Sequence, residues 1–158
     1  MARIRDIPLS TEAKVLTQMI NSELNSTPTF GRKRSNDPVD TSNHAQSLAS
    51  TSVENGCSPR AIRAMKDYAK ALAYLTGASE VGKEFIEAMA PHVLGHRVEF
   101  TPDFKGDWEE KNREGLFGEP KEMHFSRALV KKIESNYASV KQDIDLLVVA
   151  LKTIKNMQ

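Results

Sequence analysis

Two histidines four residues apart, His92 and His96, are the residues in this chain best suited to metal chemistry. On a helix this spacing places both imidazoles on one face. Further possible ligands lie near them in sequence: Glu87, Glu99, Asp103 and His124. Zinc needs three or four such groups in a tetrahedral arrangement. Gly95 is predicted to end a helix between the two histidines, and the HExxH pattern is not present. A metal-dependent enzyme is therefore our third functional hypothesis, and we predict no cofactor.

Carboxylates crowd a second segment, around Trp108, where they could act as general acids or bases. They are Asp103, Asp107, Glu109, Glu110 and Glu114. Catalytic carboxylates need an apolar wall or a like charge to shift their pKa. Here Lys105, Lys111 and Arg113 alternate with them, which is typical of a solvated loop. The chain shows no Ser-His-Asp pattern, nucleophile elbow or phosphate-cradling glycine loop. We predict no catalytic residues and expect that the protein is not an enzyme.

Basic residues occur in two groups that could contact phosphates. The first is the triplet Arg32, Lys33 and Arg34, within a polar stretch. The second lies on one side of a predicted helix and comprises Arg60, Arg63, Lys66 and Lys70. The formal net charge of +1 argues against a protein whose whole surface binds nucleic acid. Nucleic-acid binding through these two groups is our alternative functional hypothesis.

The elements that must position such residues are predicted to be helices, and the longest is 126–158. It contains no Gly or Pro, and its apolar residues recur at steps of three and four. Ser126 is predicted to cap it. Such a stripe fits either an intramolecular bundle or a self-associating coiled coil, and we expect the bundle. Its apolar end, with Leu146 and Val149, is a candidate docking site for a partner.

Three shorter helices are predicted upstream. The first, 10–24, is capped by Ser10 and either packs on the bundle or binds a partner through Met19, Ile20 and Leu24. The second, 58–76, has Ser58 as its cap, Pro59 at its first position and Gly77 at its end. Its inner face is predicted to contain Ile62, Met65, Ala69, Leu72 and Leu75 or Thr76, with Tyr68 beside them. The third, 79–94, should kink or end at Pro91 and form an αα-hairpin with the second.

The remaining segments are predicted to be irregular. Residues 25–57 are rich in Ser, Thr, Asn, Pro and Gly, and too poor in apolar residues to offset their conformational entropy, so we expect a disordered linker. Residues 97–123 contain glycines, prolines and interleaved aromatics. We expect this segment to cover one end of the bundle, with a short helix at about 107–113. It is either a functional site or a structural cover.

Together these features predict an all-α protein with two parts. Residues 1–57 would form a flexible N-terminal arm carrying a short amphipathic helix. Residues 58–158 would form a small bundle in which the αα-hairpin packs on the long C-terminal helix. The sequence has no run long enough to span a bilayer and no apolar core after its first residues. We therefore expect it in a cytoplasm, or exported without a cleaved signal peptide into a host cell.

The leading functional hypothesis is a non-enzymatic interaction or assembly protein that binds another protein or a second copy of itself. A polar N-terminal region before a small helical domain looks like bacterial effectors or accessory proteins exported without a cleaved signal. It also looks like viral structural proteins with a flexible arm. These are similarities of organisation and depend on no motif.

Overall fold

The computed structural model of the chain describes residues 4–27, 31–32, 34, 49–111 and 120–156, with the backbone alone described at 111 and 139–156. These residues form five α-helices and two short 3₁₀ helices. The α-helices are α1 (Thr11–Asn25), α2 (Pro59–Thr76), α3 (Lys83–Leu94), α4 (Pro102–Lys111) and α5 (Lys121–Asn156). The 3₁₀ helices are Ile4–Asp6 and Ala49–Ser52. The predicted all-α bundle is confirmed.

Helix α3 lies at the centre of the bundle and packs against α2, α5 and α1. Its apolar side chains Ile86, Ala90 and Leu94 are fully buried. The α2–α3 pair forms the predicted αα-hairpin, and α5 packs on the α3 side of it. One cluster of buried side chains includes residues of α1, α2, α3 and α5.

The first helix packs inside this core rather than standing apart from it. Its face of Leu16, Ile20 and Leu24 is buried, and the Ser10 hydroxyl accepts a hydrogen bond from the Ala13 N–H at 3.1 Å, as predicted for a cap. Of the two alternatives for this helix, the structure shows packing on the bundle. The same buried cluster therefore extends across the boundary expected between residues 57 and 58.

The end of the segment expected to be a linker is also part of the core, which corrects that prediction. Ala49, Val53 and Cys57 are buried. Val53 pairs with Phe100 in an antiparallel bridge, and the Glu54 N–H donates to the Glu99 carbonyl at 2.7 Å. Backbone hydrogen bonds to residues far along the chain satisfy the polar backbone groups of this stretch. The local composition of the sequence does not reveal this pairing.

Two further strands lie in the expected linker, β1 (Ser26–Thr27) and β2 (Gly31–Arg32), which pair antiparallel. Ser26 lies opposite Arg32, and Thr27 lies opposite Gly31. Gly31 has a φ of 69°, a left-handed conformation that favours glycine. The expected disorder at 28–30, 33 and 35–48 lies outside the described residues.

Two predicted helix starts were wrong. The last helix begins at Lys121, so Ser126 lies inside it and donates its hydroxyl to the Glu122 carbonyl at 2.7 Å instead of capping. No glycine or proline between 121 and 126 stops the helix from starting earlier. The third helix begins at Lys83, because the N–H of Val81 donates to Pro8 and its carbonyl accepts from Ser10. That helix does not end at Pro91, which is buried, and its last residue is Leu94, as predicted.

The segment 97–123 is more helical than expected, because α4 occupies Pro102–Lys111. An aromatic cluster holds α4 against the start of α5. Phe100, Phe104 and Trp108 have ring centroids 5.6, 6.2 and 5.3 Å from that of Phe125. These contacts fix the position of α4, and residues 112–119 of the expected loop lie outside the described residues.

Candidate protein-binding face of helix α2

Helix α2 has unusually complete signals at both ends. The Ser58 hydroxyl accepts from the Ala61 N–H at 3.2 Å, and Pro59 occupies the first helical position. At the other end Gly77 has a φ of 73°, and its N–H donates to the Tyr74 carbonyl at 3.2 Å. The next N–H, of Ala78, donates to the Ala73 carbonyl at 2.9 Å, which completes a Schellman motif. The predicted start and end of this helix are therefore confirmed.

The inner face of α2 is narrower than the sequence indicated. Its fully buried residues follow each other at steps of four: Ala61, Met65, Ala69 and Ala73. Three of these four side chains are single methyl groups, so the inner face is mostly alanine where it meets the rest of the bundle. The larger apolar residues assigned to this face from the sequence, Ile62 and Leu72, are only half-buried. Of the three alanines, the sequence analysis placed Ala69 on this face and missed Ala61 and Ala73.

The outer face of α2 exposes three large side chains that contain much apolar surface. Leu75, expected on the inner face, is 80% exposed, while Tyr68 is 53% and Tyr74 43% exposed. Among the described residues the only other large hydrophobic residue exposed to this degree is Ile4, on the 3₁₀ helix that packs against α2. Single exposed apolar residues are ordinary, whereas a contiguous exposed apolar patch is a candidate interaction surface.

Four residues of this outer face lie in one line along the helix: Ala64, Tyr68, Ala71 and Leu75. They follow each other at steps of four, three and four, the spacing that brings helical residues to one side. The two alanines are half-buried, and the larger side chains beside them are exposed. We refer to these four residues as the apolar strip.

Basic residues accompany the apolar strip at its N-terminal end. Arg60 and Arg63 are exposed and form no ion pair with any residue that the structure describes. Lys66 is half-buried, and the Lys70 ammonium donates to the Arg5 carbonyl at 2.7 Å. The four basic residues expected on one side of this helix therefore differ in environment. Arg60 and Arg63 are exposed, whereas Lys70 binds the N-terminal segment of the same chain.

Other residues expected at a partner or nucleic-acid site are dispersed. Ile20 and Leu24 are fully buried and Met19 is half-buried, so burial in the core removes the first two from any partner in this conformation. Leu146 and Val149 belong to the part of α5 whose side chains are outside the described residues. Arg32 and Arg34 are exposed, and Lys33 lies outside the described residues.

The proposed metal ligands are not brought together. His92 and His96 are both exposed, and α3 ends at Leu94 between them. Glu99 accepts from the Asn55 amide at 3.2 Å, and His124 lies against Trp108 with ring centroids 5.7 Å apart. No group of three His, Cys, Asp or Glu side chains in the described part of the chain could hold a metal ion.

The acidic residues around Trp108 lie on the surface of α4. Asp103, Asp107 and Glu110 are exposed, and the Glu109 carboxylate forms an ion pair with Lys121 at 2.8 Å. Trp108 points its half-buried ring at Phe125 rather than forming an apolar wall for a carboxylate pair. Glu114 lies outside the described residues.

Carboxylates from two helices do meet elsewhere, where α3 packs on α5. Lys83 lies 3.0 Å from Glu87 and 3.8 Å from Glu134. Burial raises the pKa of Glu134, and the hydrogen bond and charge of Glu87 raise it further. Burial acts in the same upward direction on Glu87, but hydrogen bonds with Glu134 and Lys83 outweigh it and lower the pKa of Glu87. This pair belongs to the contact between the helices.

The single cysteine, Cys57, lies beneath the start of α2 and is buried. Burial raises the pKa of its thiol to about 11, and the nearby charge of Arg97 only partly opposes this. At neutral pH the side chain is therefore a protonated thiol with little nucleophilic character.

The model of one protein family, the AAA lid domain, matches residues 45–114 of the chain. These residues include α2, α3 and α4, whereas α1 and α5 lie outside the match. The comparison with curated proteins finds no match, and neither does the comparison with solved structures. None of the helices, over the residues described, is long and apolar enough to cross a membrane.

Proposed function

We propose that this chain is a non-enzymatic interaction module that docks on another protein through the outer face of α2. The observation that carries the proposal is the group of exposed side chains Tyr68, Tyr74 and Leu75 on one helix. The similarity of residues 45–114 to a lid domain supports it, because a lid is a part that rests on something larger. The proposed role is therefore as a component of a larger protein assembly.

The positions of α1 and α5 support the choice of face. Both helices lie outside the family match and pack on α3, which they cover from two sides. Helix α2 is covered on its inner face by the bundle and along one edge by the first 3₁₀ helix. Its outer face is the part of the hairpin that the described helices leave accessible.

Site-specific photocrosslinking tests this proposal in cells. A benzophenone amino acid at Leu75 should give a discrete crosslinked protein, and the same group at the exposed Ala88 on α3 should not. The partner is then purified, and calorimetry should show binding to the chain and loss of binding with Leu75→Asp. Equal crosslinking from both positions, or purified partner that binds Leu75→Asp as well as the native chain, would refute the proposal.

The two other functional hypotheses predict different outcomes for the same purified protein. A nucleic-acid-binding protein would bind an oligonucleotide with an affinity that falls steeply as salt rises. A metal-dependent enzyme would carry zinc, iron or manganese in elemental analysis. Either result, together with no crosslink at Leu75, would replace the proposed function.

A further inference from the structure

The outer face of α2 has two chemically distinct parts, which restrict what can bind there. The apolar strip alternates small and large side chains: Ala64 and Ala71 are half-buried, with Ala64 packed in part against the core, and Tyr68 and Leu75 are exposed. Beside it, towards the N-terminal end, lie the exposed Arg60 and Arg63 with the carboxylate of Asp67, whereas Lys66 lies on the opposite side of the helix. The surface is therefore apolar along its length and positive at one end.

We infer that the partner presents an amphipathic α-helix with acidic flanks, which lies along the apolar strip with its carboxylates against Arg60 and Arg63. This inference rests on the proposed function and specifies the chemistry of its partner. The helical partner follows from the strip, and the acidic flanks follow from the exposed cations Arg60 and Arg63.

A helix fits the strip because of its spacing. Steps of four, three and four are those by which one helix packs its ridges into the grooves of another. A side chain of an incoming helix can enter over Ala71, while Tyr68 and Leu75 enter the grooves of the partner; Ala64 already packs in part against the core. The inner face of α2 already buries small side chains against the bundle, since three of its four fully buried residues are Ala61, Ala69 and Ala73.

The charges select among amphipathic helices. Arg60 and Arg63 are exposed and unpaired within the described structure, so a partner carboxylate gains attraction without breaking an existing ion pair. Complementary charge at the rim of an interface accelerates association and excludes partners of like charge. A helix with lysine flanks would meet Arg60 and Arg63 with repulsion.

Three synthetic peptides of the length of α2, 18 residues, provide the probes. The first has a leucine–alanine stripe at helical spacing with glutamate flanks, the second replaces every glutamate by lysine, and the third scrambles the first. Each is titrated into the full-length, ¹⁵N-labelled chain. The glutamate peptide should shift the amide signals of 60–75 and bind roughly tenfold or more tightly than the lysine peptide. The scrambled peptide should not bind.

Variants separate the two parts of the surface. Leu75→Ser should abolish binding of the glutamate peptide, whereas the double change Arg60→Gln and Arg63→Gln should remove the preference for glutamate over lysine. Lys14→Gln, an exposed cation on α1, is the matched control and should leave both affinities unchanged. The preference should also weaken as salt rises, because exposed charges are screened.

Several results would overturn the inference. Equal affinity for the glutamate and lysine peptides would refute the acidic flanks, and shifts outside 60–75 would refute the location. A duplex oligonucleotide that shifts the same amides more strongly than the peptide would assign the face to a phosphate backbone instead. If no peptide binds while the crosslink at Leu75 persists, the proposed function holds and the acidic helix is wrong.

Discussion

Helices α2 and α3 are consecutive and packed together, yet the rest of the chain covers much more of α3 than of α2. Helix α3 is covered by α2, α1 and α5, and its Ile86, Ala90 and Leu94 are fully buried. Helix α2 buries a line made mostly of alanine and exposes Leu75 and two tyrosines. Both helices lie within the lid-domain match, whereas α1 and α5, which also cover α3, come from outside it. The flanking segments thus complete the core around one helix and leave a face of the other accessible.

The largest expected effect is on the covered helix. Ile86→Ala should lower the free energy of unfolding by about 2–5 kcal/mol, because it removes buried methyl groups and leaves a cavity between packed helices. Urea denaturation monitored by circular dichroism measures the change. The graded control Ile86→Val should cost only about 0.5–1.5 kcal/mol. An Ile86→Ala loss below that of the valine variant would show that α3 is not tightly covered.

A somewhat smaller loss of stability is expected where hydrogen bonds link α1 to the 3₁₀ helix Ala49–Ser52 and to α5. The buried Glu23 of α1 accepts from the Ala49 N–H at 3.1 Å and from the Asn136 amide of α5 at 3.0 Å. Glu23→Ala leaves these donors without that acceptor, so unfolding should become easier by about 1–3 kcal/mol. Lys14→Ala, on the exposed side of the same helix, is the control. Amide hydrogen exchange in α5 should become faster in the Glu23 variant and not in the Lys14 variant. Unchanged protection would show that the Glu23 hydrogen bonds do not stabilise α5.

The α3–α5 contact predicts a modest dependence on pH. The raised pKa of Glu134 means that its contribution to stability is present below the ordinary glutamate pKa and is lost as pH rises through the raised value. Glu134→Gln imitates the protonated form and can still donate to Glu87. The variant should therefore be more stable than the native chain at about pH 7, and this advantage should shrink towards about pH 4. Denaturation curves at both pH values test it, and an advantage that grows on acidification would contradict it.

The smallest effect on stability is expected at the most exposed apolar residue. Leu75→Ser should change the free energy of unfolding by no more than about 0.5 kcal/mol, because its side chain is 80% exposed. Thermal and urea denaturation of the purified protein provide the measurement. A loss comparable to that of Ile86→Ala would mean that Leu75 is part of the core, and the contrast between the two helices would fail.

What could be predicted from the sequence was mainly local. Ser10, Ser58 and Gly77 marked helix ends correctly because a cap needs only the first or last turn of its own helix. Ser126 failed because a good capping residue is equally tolerated inside a helix that starts earlier. The beginning of α5 depends on the contacts of Phe125 with Phe100 and Phe104, which sequence spacing does not reveal.

The candidate face could be predicted only in part, for a related reason. The basic residues Arg60 and Arg63 were assigned to the outer side of α2, where the structure also places them. Leu75 was assigned to the inner face because apolar residues usually turn inward. Which residues of an amphipathic helix are covered depends on the neighbour, and here Ala61, Ala69 and Ala73 form the contact side. The burial of 49–53 likewise depends on pairing with residues near 100, far along the chain.

The buried thiol of Cys57 has a practical consequence for fluorescence work. Because this single cysteine is enclosed and its pKa is about 11, maleimide dyes should leave it unmodified in the native protein near neutral pH. A second cysteine introduced at an exposed site such as Ala88 could then carry one dye without removal of the native residue. A dye at that position could then report binding of a partner while the buried native cysteine stays unmodified.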